Sequence, residues 1–66
     1  MENLIKTELI ENFMSEKKLS KVGFCKECKI SVATLNKILR NNDNLRIIAL
    51  FKIAKVMKIN ISDLFY

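Results

Sequence analysis

Cys25-Lys26-Glu27-Cys28 places two thiols at the C-x-x-C spacing used by zinc sites and dithiol redox centres. Zinc takes four ligands, and the sequence supplies two cysteines and no histidine. A dithiol oxidoreductase sets its C-x-x-C beside a βαβ unit, which the pattern of residues does not offer. What remains is core packing, because a free cysteine behaves as a small buried hydrophobe. A zinc shared between two copies, or a redox sensor, is the alternative. Without histidine, general-base work would fall to a carboxylate, a lysine or a thiolate, and no two of these can be placed together in a cleft. Gly23 is the sole glycine, so a glycine-rich phosphate loop is excluded. The expectation is a protein that is not an enzyme, with no cofactor, no metal and no small-molecule substrate.

The charges are distributed unevenly. Residues 1–16 hold Lys6 against Glu2, Glu8, Glu11 and Glu16, whereas residues 17–58 hold nine lysines, Arg40 and Arg46 against only Glu27 and Asp43. Asp63 is the one charge that follows, and the formal net charge is +5. A basic middle between acidic ends is the asymmetry of a surface that meets a polyanion. An AT-rich genome, whose codons favour Lys, Asn and Ile, would give a similar excess.

The elements that must position these charges are helical. One glycine and no proline in 66 residues argue against a turn-dense β fold, and half the residues are hydrophobic, enough for one small core. No apolar run approaches the ~20 residues of a membrane span, and no signal-peptide pattern opens the chain, so a cytoplasmic protein is expected. Leu4, Ile5, Leu9, Ile10, Phe13 and Met14 recur at helical spacing and predict a helix over about residues 3–15. Ser20 is positioned to cap a second helix, about 20–28, in which Phe24, Cys25 and Cys28 share a face. Ser31 would cap a third, about 31–40, with Leu35, Ile38 and Leu39 inward. Asn41-Asn42-Asp43-Asn44 reads as a loop. A very apolar helix follows, about 45–58, with Ile47, Leu50, Phe51, Ala54 and Met57 along it, and Ser62 would cap a last short helix. With no linker, repeat or low-complexity tract, residues 1–66 form a single domain.

Two short helices separated by about three residues suit a helix-turn-helix, whose second helix lies in the major groove while the first braces it. The residues strengthen this. Leu19-Ser20-Lys21 through Cys28-Lys29-Ile30-Ser31, then Val32-Ala33-Thr34-Leu35-Asn36-Lys37-Ile38, resembles the DNA-binding core of the Cro/lambda-repressor-like (XRE) family. Ile53-Ala54-Lys55-Val56-Met57-Lys58-Ile59-Asn60-Ile61-Ser62-Asp63-Leu64 is similar to that family's closing segment. Together they cover residues 9 to 65. The resemblance implies an all-α, compact five-helix lambda-repressor-like bundle with the helix-turn-helix formed by helices 2 and 3.

The chain departs from the family pattern where Lys18, Lys29 and Lys58 stand at positions that often hold glycine. A lysine kept at positive φ would cost about 1 kcal/mol at each. Where the family often buries an arginine against a glutamate, this chain has Met14 and Leu39, a paired exchange that need not destabilise, and the two are expected to touch.

By position, the resemblance assigns base readout to Ser31, Val32, Ala33, Asn36 and Lys37. Val32 and Ala33 could discriminate only through thymine methyls, Lys37 can donate to guanine, and Asn36 suits adenine or a phosphate. Lys21, Thr34, Arg40, Asn41, Asn42 and Asn44 would hold the DNA backbone, fixing register without specifying sequence. A plain solvated helix face and an ordinary loop are the alternatives for these two sets. One such domain covers few base pairs, so a homodimer on a palindromic operator is expected, with Ile59, Ile61, Phe65 and Tyr66 as the contact surface or the acidic first helix in their place. The resulting expectation is a sequence-specific, double-stranded-DNA-binding transcriptional regulator of bacterial or phage type, acting as a repressor. The competing expectation is the same fold serving a protein partner.

Overall fold

The computed structural model describes residues 5–40 and 47–66. Its helices are α1 (Thr7–Glu16), α2 (Lys21–Cys28), α3 (Val32–Leu39) and α4 (Ile47–Met57), followed by a 3-10 helix at Ile61–Leu64. Serine chemistry sets where α2 and α3 begin. Ser20 and Ser31 both have extended backbones, and their hydroxyls accept the N–H of Gly23 and of Thr34, each at 3.1 Å. Each cap satisfies a donor that the first helical turn leaves open.

The ends of α1, α2 and α4 share one device. Lys18, Lys29 and Lys58 lie at φ 56°, 58° and 60°, in the left-handed region. The next residue then donates back to a carbonyl five positions earlier: Leu19 to Met14 at 2.8 Å, Ile30 to Cys25 at 3.0 Å and Ile59 to Ala54 at 3.1 Å. This is the Schellman closure, and Leu19, Ile30 and Ile59 are each half-buried against the core. The positive φ expected where the family places glycine is therefore kept with lysine in all three places.

α2 packs on both α3 and α4, and α4 packs on the 3-10 helix. Phe24, Leu35, Ile38, Leu50, Ile53, Ile10 and Leu64 are almost wholly buried between them. Full burial of such a side chain is worth about 1.5–3 kcal/mol. The Phe13 and Phe24 rings meet at 5.8 Å between centroids, tilted by 60°. Met14 and Leu39 are both half-buried against this core.

Three sequence expectations need correction. Ile5 does not belong to α1: it forms an isolated antiparallel bridge with Phe65, and the Lys6 N–H donates to the Leu64 carbonyl at 2.7 Å. Its burial comes from that pairing, and spacing alone cannot tell it from a helical position. The fifth element is a 3-10 turn rather than an α-helix, so the bundle has four α-helices among the described residues. Nor is Ser62 its cap; the turn starts after Asn60, whose N–H donates to the Asp63 carboxylate at 3.2 Å. A four-residue segment closes i to i−3 bonds, such as Asp63 to Asn60 at 2.9 Å. Ile47 and Phe51 lie along α4 as expected, but they are 52 % and 56 % exposed, and the helix buries Ala49, Leu50, Ile53 and Ala54. α4 is apolar nearly all round, so its periodicity could not choose the inward face.

Candidate nucleic-acid interface

The burial of Leu35 and Ile38 fixes the rotation of α3 about its own axis. Val32, Ala33 and Lys37 are consequently exposed, with Asn36 half-buried among them. Positions i, i+1, i+4 and i+5 form one strip of a helix surface. Val32, at 36 % exposure, is apolar area in water at the head of that strip.

Four of the expected site residues are already engaged with one another in two pairs. The Ser31 hydroxyl caps α3 and also lies 2.9 Å from the Thr34 hydroxyl. Ser31 therefore serves first to start the helix. Lys21, the first residue of α2, donates through Nζ to Oδ1 of Asn36 at 3.1 Å. That bond joins an expected backbone contact to an expected base reader across the helix-turn-helix. It engages the side-chain oxygen of Asn36, while the side-chain amide of the same residue remains a donor. Arg40 is exposed just past α3, with its backbone N–H on the Asn36 carbonyl at 3.1 Å. Asn41, Asn42 and Asn44 lie outside the described residues.

The head of α3 borders a groove of about 560 Å³ lined by Lys29, Ile30, Ser31, Thr34, Ile47, Ile48, Ala49 and Lys52. Sequence reading missed Lys29 and Lys52 as neighbours of α3. Only the packing of α4 against the turn before α3 brings Lys52 there, and no local spacing reports it.

The cysteines face inward. Cys25 and Cys28 are free and buried, and the Cys25 thiol donates to the Ser31 carbonyl at 3.6 Å, a long sulfur bond that ties α2 to the turn. Burial pushes the Cys25 thiol above its ordinary value, opposed by the Lys21 charge. Cys28 is pushed up to about 11, first by burial and then by Cys25 and Glu27. Both are therefore neutral core side chains at neutral pH.

The surface expected to hold a second copy is largely spent within the chain. Ile59, Ile61 and Phe65 are half-buried against the core. Tyr66 is 70 % exposed but donates its hydroxyl to the Glu8 carboxylate at 3.1 Å, with the Lys6 ammonium 5.7 Å from its ring centroid. No helix among the described residues is long and apolar enough to cross a membrane.

The family model of the Cro/C1-type HTH DNA-binding domain matches residues 9–66. Comparison with curated proteins and with solved structures finds no match.

Proposed function

Because the chain belongs to the Cro/C1-type helix-turn-helix DNA-binding family, we propose that it is a sequence-specific transcriptional regulator, a binding protein rather than a catalyst. In this reading α3 enters the major groove of double-stranded DNA. The observation that carries it is the outward strip Val32, Ala33, Asn36 and Lys37, held rigidly by the buried Leu35 and Ile38 behind it. Val32 and Ala33 suit thymine methyls, and Lys37 donates to guanine O6 or N7. With its Oδ1 held by Lys21, Asn36 offers its amide hydrogens to an acceptor, a purine N7 or a phosphate oxygen. Arg40 and Lys29 would add phosphate contacts on either side of α3, supplying affinity that falls with salt.

The longest extent of the molecule is 30 Å. Half-sites on one face of a duplex repeat at about 34 Å, so two copies side by side would read an inverted repeat. Repression would follow from occupying an operator that overlaps a promoter. Selection of random duplexes on the purified protein tests this reading: an enriched inverted repeat supports it. Retention of DNA without any consensus would reduce the basic surface to a general polyanion binder. If no DNA is retained, the fold serves a protein partner, the reading favoured by the exposed apolar residues of α4.

A further inference from the structure

Between the end of α2 and the second half of α4 runs a groove of about 550 Å³, lined by Lys29, Lys52, Lys55 and Lys58. All four lysines are exposed, and Glu27 is the one carboxylate beside them among the described residues. Lys29 and Lys58 are two of the three residues held at positive φ, where glycine would escape the cost of a Cβ. A cleft lined by one sign of charge focuses its field and draws in the opposite charge. We infer that this groove takes phosphates of the duplex flanking the site that α3 reads, so that the protein grips DNA beyond its half-site. The inference deepens the proposed regulator by adding a second contact with the same DNA, and it rests on that reading.

Position and spacing single out the flanking backbone. Lys29 and Lys52 also line the groove at the head of α3, with Ser31 and Thr34, so the lysine surface is continuous with the reading helix. Lys52 is drawn to that turn, where its Nζ donates to the Lys29 carbonyl at 3.5 Å and keeps further donors free. From Lys52 the lysines recur every third residue, through Lys55 to Lys58. Six residues of helix rise about 9 Å. One strand of a duplex presents a phosphate about every 3.4 Å along its axis, so the track matches the charge of about three phosphates. A protein segment would find few apolar anchors here, since Cys28 and Val56 are the only apolar residues on the lining among the described residues. A duplex already held by α3 brings its phosphates to the groove at high local concentration, an advantage that a free polyanion lacks.

The test measures affinity of the full chain across a range of salt for two duplexes. One ends at the edges of the selected site, and the other continues about one helical turn, roughly ten base pairs, beyond each edge. Wild type is compared with the double variant Lys55→Gln and Lys58→Gln, and with a control of equal net charge, Lys6→Gln and Lys17→Gln. Lys6 and Lys17 lie outside both grooves. Glutamine is close to lysine in helix propensity and Lys55 and Lys58 are exposed, so the fold should be unaltered, which circular dichroism melts check. In wild type the flanks should steepen the plot of log affinity against log salt by about two to three units for each protomer bound, about 0.9 for each phosphate gripped. In the groove variant they should add only about one unit, whereas the control should keep the wild-type gain. Flanks that leave the wild-type slope unchanged, or a groove variant that keeps the whole gain, would overturn the inference and leave readout by α3 standing. Equal losses in the groove variant and the control would reduce the effect to net charge and overturn it as well. If wild type selects no sequence, the regulator reading fails and takes this inference with it. Failure of the flank contact alone is therefore recognised by a selected site that is bound equally with and without its flanks.

Discussion

Replacing Lys58 by glycine should make the protein more stable. Lys58 holds φ 60° at the end of α4, and its N–H and that of Ile59 close the helix on the carbonyls of Lys55 and Ala54. An L-residue in this conformation is disfavoured by about 1–2 kcal/mol through its Cβ. Glycine escapes that cost but gives up about 0.5–1 kcal/mol of unfolded-chain entropy. The expected net gain is about 0.5–1 kcal/mol. For a domain of this size that is a rise of about 3–6 °C in the melting midpoint. Circular dichroism melts of wild type, Lys58→Gly and Lys58→Ala separate this effect from loss of charge, because alanine removes the ammonium and keeps the Cβ. Lys18→Gly should behave in the same way. If the glycine and alanine variants melt together, Lys58 does not hold the left-handed conformation in solution and the closure described above is wrong. Lys29→Gly should also stabilise, yet it removes a cation beside α3, so it should gain stability while losing affinity for duplex DNA at low salt. That trade is a physical reason for lysine to occupy a glycine position.

Other outcomes follow from the same geometry. Ser31→Ala should cost about 1 kcal/mol in urea denaturation by leaving the Thr34 N–H uncapped, and a cost near zero would show that the cap is not formed. Lys21→Ala should lower affinity for every duplex and flatten the salt dependence by about one unit. It should also release Oδ1 of Asn36, so a shift of the selected base towards adenine is expected; a purely uniform loss would show that the Lys21–Asn36 bond does not govern readout. Cys28 ionises near its ordinary value of 9.0 when unfolded and near about 11 when folded. Between those values the unfolded chain binds fewer protons than the folded one, so this thiol's contribution is complete below pH 9 and is lost as pH rises towards 11. Urea midpoints across that range should fall more steeply for wild type than for Cys28→Ala, and both thiols should resist alkylation until the chain unfolds.

The helix-turn-helix was legible because its signals are local. Ser20 and Ser31 each stand four residues before the first inward apolar residue of their helix, Phe24 and Leu35, and both caps are present. Leu35 and Ile38 had to face inward, and the reading strip followed from them. The left-handed lysines were legible only through resemblance, since a lysine by itself carries no signal for positive φ. What stayed hidden depends on how distant elements meet. Ile5 pairs with Phe65 from the opposite end of the chain, and Lys21 reaches Asn36 only after α2 and α3 have packed. The exposed stripe on α4 was hidden for a different reason: Ile47, Ile48 and Phe51 are as apolar as Leu50 and Ile53, and only the finished core shows which of them it has room for.

The most direct measurement of whether α3 reads bases is a parallel selection of random duplexes at about 150 mM salt, near physiological ionic strength, on wild type and Lys37→Ala. Wild type is predicted to enrich an inverted repeat with thymines and at least one guanine in each half. Lys37→Ala is predicted to keep that repeat and its spacing while relaxing one base pair per half-site, at a cost of about 1–3 kcal/mol for each half-site. Identical consensus sequences from the two proteins, or none from wild type, would contradict readout through α3.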